Sequence, residues 1–298
     1  MQVRSGRSTH PATDRLDPCM AARESKTRSG KTARKMDLAL KQDGPTLATV
    51  GRAPVIEITG VSKHFGSIQA LTDVSVRLNR GEVVGLMGDN GAGKSTLMRI
   101  IAGNFRPSQG TIAIEGHPIS FHNPIDARRA GIEIVYQDLA LCDNLTAAAN
   151  VFLGRELRKG FGPFHVLDYA AMYRRAGSLF KELKSATRPR DLVRHMSGGQ
   201  RQAVAIARTR LSDAKIVLMD EPTAAISVRQ VAEVLNLIRR LREQGLGGVL
   251  VSHRMPDVFA VADRVVVMRR GRKVADKNIA ATSPEEVTGL ITGAIETA

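Results

Sequence analysis

Residues 81–96 read GEVVGLMGDNGAGKST, and the fold follows from how the two halves of that stretch differ. The first half is a short apolar run ending in glycine, the pattern of a buried strand. The second half, Gly88-Asp89-Asn90-Gly91-Ala92-Gly93-Lys94-Ser95, matches G-x-x-x-x-G-K-[ST] at every fixed position, and Thr96 follows. Glycines at these places let the backbone curl into a nest of N–H groups that fits a phosphate. The stretch 94–102 then reads as a helix stopped by Gly103, and its N-terminus carries partial positive charge toward the same anion. Lys94 is placed to neutralise β- and γ-phosphates, and Ser95 to offer a hydroxyl to Mg²⁺. A solvated glycine-rich turn is the plainer reading of such a motif. A strand before it and a helix behind it weigh against that reading.

Outward from this stretch, residues 55–59 and 71–78 alternate apolar and polar on either side of a turn at Gly66, as strands do. Strand signals return at 216–219 and 249–251. Between them Val231, Val234, Leu235, Ile238 and Leu241 mark one face of a helix that stops at Gly245. Residues 265–268 and 273–275 flank a turn at Gly271 and predict a closing hairpin. Residues 168–184 look helical, no strand signal breaks the surrounding region, and about 137–210 reads as a helical insertion. Strands alternating with helices predict an α/β fold with a mainly parallel, helix-covered sheet. No internal repeat is visible, so one copy of the domain is expected.

The 298 residues are 43% hydrophobic, enough for a substantial core, and carry a net charge of +15. Residues 1–53 hold eleven Lys/Arg against five Asp/Glu, lack any period and read as a disordered basic extension. The domain is expected over 54–293, with 294–298 as a tail. No basic stripe is interleaved with aromatics, so no nucleic-acid partner is expected. No apolar run reaches the roughly 18 residues of a membrane span, and the first residues lack the apolar core of a signal peptide. A cytoplasmic protein follows, whose membrane role would need a partner. Cys19 and Cys142 offer neither a disulfide framework nor metal-ligand spacing.

Two further stretches carry chemistry. Ile216-Val217-Leu218-Met219-Asp220-Glu221 delivers two carboxylates at the end of an apolar strand. Asp220 is suited to hold Mg²⁺, and Glu221 to polarise an attacking water as general base. Alone, such a pair is more often a helix cap or a solvated acidic turn. In His195-Met196-Ser197-Gly198-Gly199-Gln200, Ser197 can cap a helix running on through Arg208, whose N–H groups would face an anion. Alone, Ser-Gly-Gly is most simply a turn.

In this order the three motifs resemble an ABC ATPase over about residues 54–293, with Met196 in place of the family's usual leucine in its signature. The resemblance implies a P-loop NTPase fold with an antiparallel β subdomain and an inserted helical subdomain. It implies ATP and Mg²⁺ as ligands and a homodimer. There the Ser197–Gln200 turn of one protomer, with Gly198 and Gly199, meets the γ-phosphate held by the other. It places Gln137 between Mg²⁺ and the membrane partner, His253 against the γ-phosphate, and Phe65 on the adenine. A core role for Phe65 and a structural role for His253 are the alternatives.

The stretches Val135-Tyr136-Gln137-Asp138-Leu139 and Asn150-Val151-Phe152-Leu153-Gly154-Arg155-Glu156 are also similar to the ATP-binding subunits of simple-sugar importers of the ribose, xylose and fructose type. This implies a peripheral subunit on the cytoplasmic face of the inner membrane. It would serve permease subunits and, through them, a periplasmic sugar-binding protein. One departure is the segment Ala224-Ala225-Ile226-Ser227, which lacks the aspartate common across the wider family and leaves the coupling between the two ATP sites in question. The rival readings are a soluble ABC ATPase of DNA repair or translation and a non-catalytic regulatory subunit. The first usually brings paired domains, zinc motifs or long coiled coils, none visible here. The second typically loses one of Lys94, Asp220, Glu221 and His253.

Overall fold

The structure is a computed structural model and describes residues 54–136, 138–161, 164–224 and 226–295. The expected basic extension and the last three residues of the tail lie outside the described residues. Along the chain run β1 (Ile56–Phe65), β2 (Ile68–Leu78), β3 (Val83–Met87), α1 (Lys94–Ile101), β4 (Gln109–Ile114), β5 (His117–Ile119), α2 (Pro124–Arg129) and β6 (Ile132–Val135). There follow α3 (Ala147–Val151), β7 (Arg158–Phe161), β8 (Phe164–Leu167), α4 (Tyr169–Glu182), α5 (Gly198–Thr209) and β9 (Ile216–Asp220). The chain continues through α6 (Val228–Glu243), β10 (Gly247–Val251), α7 (Met255–Val261), β11 (Arg264–Arg269), β12 (Arg272–Asn278) and α8 (Pro284–Thr292).

Six strands form the main sheet in the order β12-β11-β3-β10-β9-β6. Every pairing is parallel except the β11–β12 hairpin at one edge. β3, β9 and β10 read as unbroken apolar runs because both faces of the sheet are covered. The two-residue period of a strand then divides one run between two cores. Val83 and Met87 pack with the residues of α5, α6 and α8 on one face, while Val84 and Leu86 pack with α1 and the antiparallel sheet on the other. Met219 and Leu218 divide in the same way. The antiparallel sheet, β2-β1-β4-β5, is hydrogen-bonded separately and shares the second of these cores.

The expected helix at 94–102 ends on Gly103 at φ 77°, and that at Val231–Leu241 ends on Gly245 at φ 83°. Both glycines supply the left-handed conformation that stops a helix. The predicted closing hairpin forms with Arg270 and Gly271 both at positive φ, the two-residue turn whose twist matches paired strands.

The region between β6 and β9 departs from expectation. It holds α3, α4 and α5, but residues 158–167 form a two-stranded antiparallel hairpin, β7–β8, inside what was expected as a helical insertion without strands. Four-residue strands of Arg158-Lys159-Gly160 type contain too few alternations for a period-2 signal to emerge from the sequence. A buried ion pair ties this region to the main sheet. Glu133, in the middle of β6, accepts from Arg155 Nη2 at 2.6 Å and from Ser212 Oγ at 2.8 Å.

Candidate functional site

Three adjacent strands of the main sheet end level with one another. Met219 and Asp220 pair with Leu250 and Val251 of β10, and Val251 pairs with Leu86 of β3. The segments that leave these ends carry Gly88, Glu221 and His253, so the sheet itself gathers residues more than 160 positions apart. Crevices at the carboxyl ends of parallel strands are where open α/β sheets bind ligands.

The loop between β3 and α1 closes on itself through Ala92 N to Asp89 O, 3.1 Å, and is held from behind by Gly271 N to Ala92 O, 3.1 Å. Two of its glycines are demanded by the packing. A Cβ on Gly88, at φ 149°, would collide with the Met268 carbonyl, and one on Gly93, at φ 99°, would lie 2.7 Å from Leu71 Cδ2 and 2.9 Å from Ala70 O. Gly91 is also at positive φ, and Asn90 lies on the exposed side of the loop. Lys94 opens α1, and its ammonium donates back to the carbonyls of Gly88 at 2.6 Å and Asp89 at 2.9 Å. Ser95 is exposed and Thr96 half-buried on the first turn of α1. Burial pulls the Lys94 pKa below its usual value, against the opposing pull of the Glu221, Asp89 and Asp220 carboxylates.

Asp220 is the last residue of β9. Burial raises its pKa, the neighbouring Glu221 charge raises it further, and Arg99 and Lys94 offset part of this. Glu221 sits in the left-handed region at φ 49°, held by its own N–H to Val251 O at 2.9 Å and by Ala224 N to its carbonyl at 3.1 Å. Its side chain is 15% exposed, and Oε2 approaches Nδ1 of the exposed His253 at 2.9 Å. That contact lacks the alignment of a hydrogen bond, and Oε2 is otherwise a buried acceptor without a donor. A buried carboxylate oxygen with spare acceptor capacity is what a general base needs.

Ser197 caps α5 as expected. Its Oγ accepts from Gln200 N at 3.3 Å, while Gln200 Oε1 accepts from Ser197 N at 3.0 Å, a reciprocal capping box. Gly198 and Gly199 leave room for the start of α6 and for Ile226 ahead of it. A Cβ on Gly198 would lie 2.8 Å from Ile226 Cγ2, and one on Gly199 would lie 2.5 Å from Glu233 Oε2. Ser227, the last residue of the segment that lacks the wider family's aspartate, caps α6 with a like box to Gln230. The departure therefore keeps the helix start and removes one negative charge.

Phe65, at the end of β1, is not in the core. It is 41% exposed, packs edge-to-face on Phe105 at 5.2 Å, and has Lys63 Nζ 5.0 Å from its ring centroid. Gln137 lies outside the described residues, as do Cys19 and Ala225. Cys142 is a free thiol. Sequence reasoning missed the buried Thr223 and Asp257, two residues past Glu221 and four past His253, whose side chains bond to each other.

A glycine-constrained phosphate cradle between a parallel strand and a helix, with a carboxylate pair ending the strand two places away, defines a P-loop nucleoside-triphosphatase. Comparison with known proteins narrows this. The family model for ABC transporters matches residues 71–224, and the chain belongs to that family. It is 43% identical over 252 residues to a fructose import ATP-binding protein of Rhizobium meliloti, covering 83% of this chain and 97% of the relative. It is 43% identical to a xylose/arabinose import ATP-binding protein of Sulfolobus acidocaldarius, covering 80% and 94%. A ribose import ATP-binding protein of Burkholderia pseudomallei is 42% identical, and there the chain spans 47% of the relative's length. Among solved structures, a nucleotide-free ATP-binding cassette from an ABC transporter superposes with a TM-score of 0.69 at 24% identity over 80% of this chain and 95% of that one. A dimeric cassette in a post-hydrolysis state with ADP and Pi gives 0.62 at 26% identity, over 75% and 98%.

Proposed function

We propose that this chain is the ATP-hydrolysing subunit of a simple-sugar importer, acting as a homodimer on a separate membrane permease. The observation that carries the catalytic part is the convergence of Lys94, Asp220, Glu221 and His253 at one edge of the sheet. The retention of all four favours an active subunit over a regulatory one. The sugar class rests on the relatives, named for fructose, xylose/arabinose and ribose import. Those relatives also disfavour a soluble ATPase of DNA repair or translation. Among the described residues no helix is long and apolar enough to cross a membrane, so passage of the sugar is assigned to a partner.

In this reading the residues 88–96 wrap the triphosphate, Lys94 turns from the loop carbonyls to the β- and γ-phosphates, and Phe65 stacks on adenine. Glu221 takes a proton from the attacking water, and His253 fixes that water and the γ-phosphate. The Ser197–Gln200 turn of the partner subunit closes over the phosphate with the N-terminus of α5. ATP favours the closed dimer over the open one, and this differential affinity is what can drive a permease. Mg²⁺ would be held by Ser95 and Asp220, with Gln137 beside it, and would neutralise phosphate charge during the displacement. The site fits a cation, because burial and the neighbouring Glu221 charge raise the cost of ionising Asp220. Among the described residues no cluster of three His, Cys, Asp or Glu could hold a metal, so phosphate oxygens would complete the shell.

The direct test is to co-purify the chain with its permease and measure ATPase rates with and without a sugar-loaded binding protein. Stimulation by one sugar is expected. A stable complex that responds to no sugar would remove the sugar assignment. A second expectation concerns pH. Because the Asp220 pKa is raised, its carboxylate is lost on acidification earlier than an ordinary aspartate's. The Mg²⁺ needed for half-maximal hydrolysis, corrected for protonation of ATP itself, should rise at a pH above the usual aspartate range of about 4. A requirement that stays flat down to that range would contradict Asp220 as a ligand.

A further inference from the structure

We infer that Asp257 and Thr223 are positioning residues for hydrolysis. Their buried bond fixes the turn that carries Glu221 against the turn that carries His253. The inference rests on the catalytic reading above.

The bond runs from Thr223 Oγ1 to Asp257 Oδ2 at 2.6 Å, with Thr223 1% and Asp257 4% exposed. Thr223 lies two residues past Glu221, and Asp257, in the first turn of α7, lies four past His253. The backbone ladder between β9 and β10 ends at Asp220 and Val251, and Glu221 N to Val251 O extends it by one bond. Beyond that point the Thr223–Asp257 bond ties the two segments again. Arg254 Nε, 3.4 Å from Asp257 Oδ2, balances the buried charge, and Arg254 N donates to the buried Ser252 Oγ at 3.1 Å. The segment that carries His253 is thus closed by a local turn around it and tied to the Glu221 turn at Asp257.

Two features make this tie matter to the chemistry. Glu221 and His253 approach to 2.9 Å without forming an aligned hydrogen bond, so they do not orient each other and their scaffold must. Glu221 also occupies a backbone region that L-residues leave unless held. Thr223 is close enough along the chain to hold it there. Displacing a reacting group by about 1 Å can cost about 10²-fold in rate. A looser turn should therefore lower turnover without changing the phosphate cradle, which lies on other segments.

The test uses the full chain with Thr223→Val, Thr223→Ala and Thr223→Ser, reading kcat, KM for ATP and melting temperature, with assays well below melting. Val and Ala remove the donor, and Ser keeps it. The expected result is a kcat about 10-fold or more lower for Val and Ala, KM for ATP within about twofold, and recovery of most of the rate in Ser. Asp257→Asn combined with Thr223→Val should be no slower than the slower single variant, since both act on one bond. Should Thr223→Val not fold, Thr223→Ala and Thr223→Ser carry the same comparison. A kcat unchanged in Ala while the melting temperature falls, or Ser as slow as Ala, would overturn the proposal. Glu221→Gln is the control. If it retains full turnover, the catalytic reading fails. If it is inactive while Thr223→Ala is not, the positioning role alone fails.

Discussion

Glu221→Gln is expected to lose ATP turnover by about 10²- to 10⁴-fold, the span that general-base catalysis contributes, while ATP binding is retained. Gln is close in volume and keeps an oxygen acceptor, so the packing around Oε2 and the contact with His253 persist. What disappears is the ability to take a proton. The negative charge beside Asp220 disappears as well, which eases ionisation of Asp220 and removes one repulsion of the triphosphate. ATP should therefore bind at least as well, and a closed dimer that cannot hydrolyse should accumulate. Phosphate release, nucleotide binding and size-exclusion chromatography with and without ATP measure the three consequences. Hydrolysis within a few-fold of the parent would refute the role given to Glu221.

The second large effect is expected on binding. Lys94→Ala removes the cation that faces Asp89, Asp220 and Glu221, and those three carboxylates would then meet the triphosphate without it. It also removes the two bonds by which the side chain spans the loop to Gly88 and Asp89. Hydrogen bonds to charged groups are worth about 1.5–3 kcal/mol each, so loss of contact with two phosphates predicts ATP affinity weaker by about 10²-fold or more. Equilibrium binding of a fluorescent ATP analogue measures this directly. The fold should survive, because the other loop bonds, Ala92 N to Asp89 O and Gly271 N to Ala92 O, do not involve the side chain. Affinity left unchanged would overturn the assignment of the phosphate site.

Much of this architecture is legible in the sequence because its signals are local. β3, β9 and β10 are apolar runs with glycine or acid at their ends, and the loop between β3 and α1 has a fixed spacing. Ser197 and Gln200 stand at the separation of a capping box. The parts that escaped reading depend on distant partners. β6 carries Glu133 in its centre, a residue that argues against a buried strand until Arg155 and Ser212 are seen to satisfy it. β5 is three residues long, and β7–β8 is too short and basic to show alternation. Thr223 and Asp257 are 34 positions apart and match no motif, so only the structure brings them into one bond. The exposure of Phe65 beside Phe105 sets aside its core alternative, which the sequence leaves open.

The left-handed backbone at Glu221 bears on why a glutamate stands there. A non-glycine residue in that region costs about 1–2 kcal/mol, and glycine or asparagine would relax it. The chain thus forgoes a stability gain within reach of a single substitution, at the position proposed to supply the proton acceptor. Gln inherits the same strained backbone, so comparing it with Glu isolates proton transfer from conformation. Conformational strain held at the end of β9 is what a trade between stability and turnover looks like at the scale of a single dihedral angle.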